Sequence, residues 1–130
     1  MLDKETVEKY VKAGKILRKV QETARKSIKP GQKMLELAEK IEKEIAELGG
    51  QPAFPVNLSR NNYAAHFTPS INDETVVGEK DVLKVDIGVH IDGFIADAAF
   101  TLDFSGENGK LLEASEKALQ NALSLVREGR

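Results

Sequence analysis

The sequence predicts a small α+β fold with two N-terminal helices, an antiparallel sheet built on one long β-hairpin, and a C-terminal helix. Two stretches near the N-terminus repeat apolar residues at three- and four-residue spacing, which indicates amphipathic helices. Further along, Asp92-Gly93 joins two stretches of alternating apolar residues, which indicates a hairpin. A length of 130 residues suits one compact domain with one core.

The first two helices are separated by a Pro-Gly break. The apolar stripe of the first helix runs from Asp3 to about Ile28, and Asp3 has the side chain of an N-cap residue. After Pro30-Gly31, a second stripe predicts a helix from about Met34 to Leu48, and a Gly-Gly pair ends it.

Residues 51–73 are the least regular stretch and are rich in Pro and Asn. Short apolar runs at 54–56 and 63–65 predict one or two brief strands, which the prolines confine to sheet edges or strand starts. His66 is the residue of this stretch that titrates near neutral pH, and loops on a rigid scaffold often carry function. Composition alone favours a histidine that is hydrogen-bonded within the fold or faces solvent over a functional one.

The hairpin of residues 82–104 has a register that its turn determines. With Asp92-Gly93 as a two-residue loop, Ile91 pairs with Phe94. Counting outward gives the pairs Leu83 with Leu102, Val85 with Phe100, Ile87 with Ala98, and Val89 with Ala96. All these residues are apolar and share one face, because side chains alternate along a strand.

Two aspartates share the other face of this hairpin. Asp86 lies opposite Ala99, and Asp97 lies opposite Gly88, so the aspartates are diagonal neighbours with β-carbons roughly 6–8 Å apart. Like charges at this distance repel, and a cation removes the conflict. Carboxylates suit Mg, Mn, Fe or Co, and Zn is also possible. Two alternatives remain. The aspartates could simply face solvent, or Asp86 could form a surface contact with Lys84.

A last helix is expected from about Glu107 to Glu128, after the break at Ser105-Gly106. We find no internal repeat, low-complexity tract or linker that would divide the chain. Residues 1–130 are therefore predicted to form a single domain.

Composition limits the classes of partner. The net charge is −2 with both signs interspersed, so we expect no nucleic acid, and no apolar run is long enough to predict a membrane span. The charged N-terminus does not look like a signal peptide, so we expect a cytoplasmic protein. Cysteine is absent, and any metal must be held by oxygen or imidazole ligands. Of the two histidines, His90 shares the aspartate face but lies at the turn end.

Three strings carry a family resemblance: AFPVNLS at 53–59, NNYAAHFTP at 61–69, and LKVDIGVHIDGFIAD at 83–97. Together with the junction AELGGQPAFPVNLS at 46–59, they resemble the type II methionine aminopeptidases in their archaeal form. The resemblance covers nearly the whole chain. It implies half of a pita-bread fold, in which two similar halves related by a pseudo-two-fold axis enclose a dinuclear metal site.

The resemblance also implies residue roles. Asp86 and Asp97 match the family's metal-binding aspartates, with Asp97 bridging two divalent ions, which would be Co, Mn, Fe or Zn. His66 matches a histidine that contacts substrate near the scissile peptide, and is the catalytic candidate. Phe54 matches an aromatic residue lining the pocket for the methionine side chain. The implied reaction is hydrolytic removal of the initiator methionine from N-terminal methionine peptides.

In the family, the remaining metal ligands, a histidine and two glutamates, come from a second half together with its catalytic histidine, and residues 1–130 do not include that half. A fragment, a part of a split enzyme and a self-associating half are the three explanations. We expect a homodimer or a complementary C-terminal half as partner, and a symmetric dimer would bring Asp86 and Asp97 together with their own copies. The alternatives to an enzyme half are a half-domain that binds metal without peptidase activity and a non-catalytic binding module, which the retained aspartates disfavour.

Overall fold

The computed structural model describes residues 2–129, which form three helices and a four-stranded antiparallel sheet. The predicted α+β class and element order are confirmed. The elements are α1 (Lys4–Ser27), α2 (Met34–Glu47), β1 (Gln51–Pro52), β2 (Asn57–Arg60), β3 (Val82–Ile91), β4 (Phe94–Asp103) and α3 (Gly109–Ser124).

The N-terminal helices begin and end where local chemistry requires. The Asp3 carboxylate accepts a hydrogen bond from the Thr6 backbone N–H at 2.8 Å, which caps α1 as predicted. The break after α1 uses Gly31 with a φ of +86°, and Gly49 follows α2 with a φ of +81°. Both angles lie in the left-handed region, which glycine adopts without steric cost.

Helix α3 is shorter than predicted at both ends. Before it, the Asp103 carboxylate accepts hydrogen bonds from the N–H groups of Ser105, Gly106 and Asn108, which hold this segment in a turn. After it, the N–H groups of Leu125 and Val126 bond to carbonyls three residues back. That spacing marks a tighter turn than an α-helix.

Strand β3 is the centre of the sheet. β4 pairs with its whole length on one edge, while β1 and β2 pair in succession with the other edge. The β3–β4 register is the predicted one, from Ile91 with Phe94 at the turn outward. Asp92 and Gly93 have φ values of +51° and +86°, as a two-residue hairpin loop of this type needs.

The strands predicted at 54–56 and 63–65 are wrong in position. Pro52 pairs with Val89 and Asn57 with Asp86, so residues 53–56 of the outer strand face only residues 87–88 of β3. The two extra residues form a bulge, and Pro55 within it has no N–H to offer a ladder. Residues 63–65 come after a turn at 61–62 and do not form a strand.

The core lies between the apolar face of the hairpin and the two N-terminal helices. α1 contacts β3 and β4, while α2 contacts α1, β1 and β2. Residues that are almost wholly buried here include Val20, Met34, Ile45, Leu58, Leu83, Val85, Ile87 and Val89. This layer of helices covers one face of the sheet and leaves the aspartate face open.

Helix α3 and the outer edge of β4 are not covered by other elements among the described residues. In the part of the chain that the structure describes, α3 has no buried residue, although it carries Leu111, Leu119 and Leu123. Among the described strands, β4 pairs with β3 alone, so its outer edge is unpaired. Unpaired strand edges are sites where another chain can add a strand.

Candidate metal centre

Asp86 and Asp97 lie where the register places them, on the uncovered face of β3 and β4. Asp86 is opposite Ala99, and Asp97 is opposite Gly88. The two carboxylates are thus diagonal neighbours across one strand pair, and the residues opposite them are too small to separate them. On its other side Asp86 pairs with Asn57 of β2.

The two carboxyl groups interact electrostatically. Asp97 is exposed in this chain, but the limited burial of its carboxyl group raises its pKa, and the negative charge of Asp86 and a hydrogen bond to the Asp86 carboxyl raise that pKa further. The direction is that of two like charges sharing a small volume, where one resists ionisation. A divalent cation would remove the conflict, and carboxylate oxygens are ligands that such cations accept. The pair therefore fits a cation in charge, donor type and spacing.

The structure contradicts the alternative of an Asp86–Lys84 contact. Lys84 donates to the Asn61 backbone carbonyl at 2.8 Å, and burial lowers the pKa of its ammonium group. Across residues 2–129, no lysine or arginine nitrogen lies within 4.0 Å of the Asp86 or Asp97 carboxylate. Within the described residues, the repulsion between the aspartates is therefore not offset by an ion pair.

Phe54 lies on the aspartate face. It belongs to the bulge between β1 and β2, and its ring covers Gly88, the residue directly opposite Asp97. The aromatic residue and the carboxylate pair, which are far apart in the sequence, are adjacent in the fold.

The two histidines have different surroundings. His66 is exposed, with a φ of +62°, in the loop that follows β2. The next residue, Phe67, binds back to β2 through its carbonyl, which accepts from the Leu58 N–H at 2.7 Å. His90 is half-buried, and its Nδ1 accepts from the Gly93 N–H at 3.1 Å, so it supports the turn.

The described residues contain no group of three or more His, Cys, Asp or Glu side chains able to hold a metal ion. Asp86 and Asp97 are thus two candidate ligands without a third, and the structure does not bring His66 or His90 into a ligand set with them. Two carboxylates leave most of a cation's coordination positions to other groups.

Sequence reasoning missed Asn57. It is buried beside Asp86, and its Oδ1 accepts from the Thr68 hydroxyl at 2.7 Å. Asn57 therefore extends the aspartate face from β3 onto β2. The alternation of Val56, Asn57 and Leu58 could have revealed a strand here, but the neighbouring prolines concealed the signal.

Comparison with known proteins identifies the family. Residues 8–130 match the model of metallopeptidase family M24. The chain belongs to this family. The carboxylate pair therefore lies in an M24 metallopeptidase sheet, and divalent metal ions are implied by the family as a whole.

Two M24 relatives show how much of such a protein is present. The chain is 57% identical over 123 residues to a methionine aminopeptidase of Pyrococcus abyssi, and 55% identical over 123 residues to that of Pyrococcus horikoshii. Each alignment covers 95% of this chain and 42% of the relative. The chain thus spans about two fifths of the length of these relatives.

A solved structure of a methionine aminopeptidase has the same fold as this chain. The methionine aminopeptidase of Thermotoga maritima has a TM-score of 0.87 and 27% identity, over 97% of this chain and 54% of that one. The predicted pita-bread architecture is confirmed. Across the described residues, no helix is both long enough and apolar enough to traverse a bilayer.

Proposed function

We propose that this chain supplies part of the active site of a metal-dependent methionine aminopeptidase. Residues 1–130 would form one half of its pita-bread domain. The observation that carries the proposal is the Asp86–Asp97 pair, which lies on an M24 sheet and has no basic partner among residues 2–129. The substrates would be N-terminal methionine peptides of nascent proteins in the cytoplasm.

The proposed residue roles are those that the family resemblance implies. Asp86 and Asp97 would hold the divalent ions, which would be Co, Mn, Fe or Zn. Such ions lower the pKa of bound water and polarise the peptide carbonyl. Phe54 would provide the apolar wall against which the methionine side chain lies. His66, on the exposed loop after β2, would contact the substrate near the peptide bond as the catalytic candidate.

A partner must complete this site, because two carboxylates do not fill the coordination of a divalent ion. The proposed partner is either a complementary C-terminal half or a second copy of this chain. The unpaired edge of β4 borders Asp97 and could add a partner strand. Apolar residues of α3, such as Leu119 and Leu123, are exposed by 58% and 61% and could be buried by the same partner.

Complementation tests the proposed reaction. The chain would be mixed with the part of the Pyrococcus abyssi methionine aminopeptidase that it does not match, with Mn²⁺ and a Met-Ala-Ser peptide. We expect release of methionine. Asp97→Asn should abolish the release, because a neutral amide is a much weaker ligand for a divalent cation than a carboxylate, whereas Asp92→Asn at the turn should keep it.

The control is the relative's own matching segment combined with the same remainder. If that pair releases methionine and this chain does not, the chain is not an aminopeptidase half. Metal binding without methionine release would then favour the second candidate, a half-domain that binds metal without turnover. That candidate is favoured by the lack of a third ligand among residues 2–129.

Self-association needs its own measurement. If a second copy completes the site, sedimentation of the chain with Mn²⁺ should show dimers as the concentration rises from micromolar to millimolar. A monomer throughout this range would contradict self-association and leave the complementary half as the partner.

A further inference from the structure

Gly88 is approached by a side chain more closely than any other glycine in the described part of the chain. A β-carbon added there would lie 2.3 Å from Cε1 and 2.7 Å from Cδ1 of Phe54. Carbon atoms that are not bonded do not approach so closely, since contact begins near 3.5 Å. The Phe54 ring therefore occupies the space that any side chain at position 88 would need.

The backbone on either side of Phe54 is held in place. The Ala53 N–H donates to the Gly88 carbonyl at 3.0 Å, which fixes the bulge to β3 immediately before the ring. Two residues after it, the Val56 N–H donates to the Glu42 carboxylate of α2 at 3.0 Å. The ring thus has little freedom to move aside by a shift of the bulge.

The position of the ring relative to the carboxylates follows from the register. Gly88 is opposite Asp97 and two residues along β3 from Asp86, on the same face. Directly opposite residues have β-carbons roughly 5 Å apart. A ring in the side-chain space of Gly88 therefore borders Asp97.

We propose that Gly88 is a positioning residue, whose missing side chain lets the Phe54 ring lie flat on β3 beside the carboxylate pair. The inference rests on the proposed function only in taking the ring as the wall of a substrate pocket. Under it, positions 54 and 88 together set how much room an apolar side chain has beside the metal ligands.

Nuclear magnetic resonance of the metal-free chain tests the geometry. In the wild type, the ring current of Phe54 should move at least one Gly88 α-proton upfield of the usual glycine range. Phe54→Leu should return it to that range. A Gly88 α-proton that is unshifted in the wild type, or equally shifted in Phe54→Leu, would overturn the proposal.

Thermal unfolding supplies the second readout. Gly88→Ala should lower Tm by about 4 °C or more, because the new methyl group overlaps the ring. The double variant Gly88→Ala with Phe54→Leu should recover most of that loss, which is the non-additivity expected of two residues in contact. Equal losses from Gly88→Ala with and without Phe54→Leu would overturn the proposal, since backbone strain alone would then explain the glycine.

Gly14→Ala is the matched control. Apart from neighbouring residues of its own helix, a β-carbon at Gly14 in α1 would meet no described atom within 4 Å, and alanine favours helix, so Tm should not fall. Because both readouts use the chain without metal or peptide, they can fail while methionine release succeeds, or succeed while it fails. The positioning of Phe54 and the proposed aminopeptidase activity are thus tested separately.

Discussion

The two faces of the β3–β4 hairpin share one backbone but differ in burial. On one face, Leu83, Val85 and Ile87 are wholly buried beneath α1 and α2. On the other face, Asp97 and Ala99 are exposed. Among the described residues, none of those in α3 is buried, so this helix does not pack tightly against the face. The first face provides stability, and the second holds groups whose proximity costs stability. Carboxylates that repel in a stable scaffold are typical of sites kept for a ligand.

The largest expected effect comes from the covered face. Ile87→Ala should lower the free energy of unfolding by about 2–5 kcal/mol, because it leaves a cavity at a wholly buried position. Ile95→Ala on the open face, where Ile95 is 50% exposed, should change it by only about 0.5 kcal/mol. Urea unfolding of both variants measures the difference. Equal losses would mean that the open face is also part of the core.

A smaller effect is expected at Asp81, which anchors the loop between β2 and β3. Its carboxylate accepts from the Gly78 N–H at 2.7 Å, Asn61 Nδ2 at 2.9 Å and Arg60 at 3.2 Å. Burial raises the pKa of Asp81, but these hydrogen bonds and the Arg60 charge outweigh it and hold the pKa below 3.8. Asp81→Asn should cost roughly 1–3 kcal/mol at neutral pH.

The pH dependence gives the sign of that contribution. As pH falls, the unfolded chain binds the proton first, so the stability from Asp81 is complete above 3.8 and is lost as pH falls through the lower folded pKa. Asp81→Asn should therefore lose less stability on acidification than the wild type does. Some acid loss remains, because hydrogen bonds also lower the pKa values of Asp73 and Asp103. An unchanged acid limb in urea titrations would contradict the assignment.

The open face is expected to respond in the opposite direction. In the metal-free chain, Asp97→Asn should raise stability by roughly 0.2–1 kcal/mol, because it removes a like-charge contact with Asp86. Asp92→Asn serves as control, since its carboxylate is 3.3 Å from the Lys9 ammonium and its removal deletes an attractive surface contact. Thermal unfolding without metal distinguishes the two, and a loss of stability in Asp97→Asn would show that the carboxylate supports the fold.

The smallest effect on stability is expected at the free edge of β4. Ile95→Lys should leave the free energy of unfolding within about 0.5 kcal/mol and oppose pairing of this edge with another strand. Sedimentation at high concentration should show less association than the wild type. Undiminished association would place the contact elsewhere, and the exposed residues of α3 would be the next to change.

Much of the covered face could be predicted from sequence, because its patterns are local. The spacing in α1 and α2 predicted their buried stripes, and Asp92-Gly93 predicted every pair of the β3–β4 ladder. The same register placed Asp86 and Asp97 as diagonal neighbours, so the carboxylate pair was predictable without a relative.

The remainder of the site depends on contacts between distant segments. The bulge at 53–56 exists because β1 and β2 pair with β3 in two different registers, which no local pattern predicts. The contact of Phe54 with Gly88 follows from that bulge. The helical pattern of α3 correctly predicted a helix but could not show that its apolar side lies exposed, since burial depends on what else is present.

The claim that the open face is part of a metal site is tested most directly by calorimetric titration of Mn²⁺ into Asp97→Asn and Asp92→Asn. Loss of a group that merely supports a ligand weakens metal binding 10–100-fold, so loss of a direct ligand should weaken it by at least about tenfold. We predict this loss in Asp97→Asn, with wild-type affinity in Asp92→Asn. Equal Mn²⁺ affinity in the two variants would contradict the account, because the Asp86–Asp97 pair would then not be a metal-binding group.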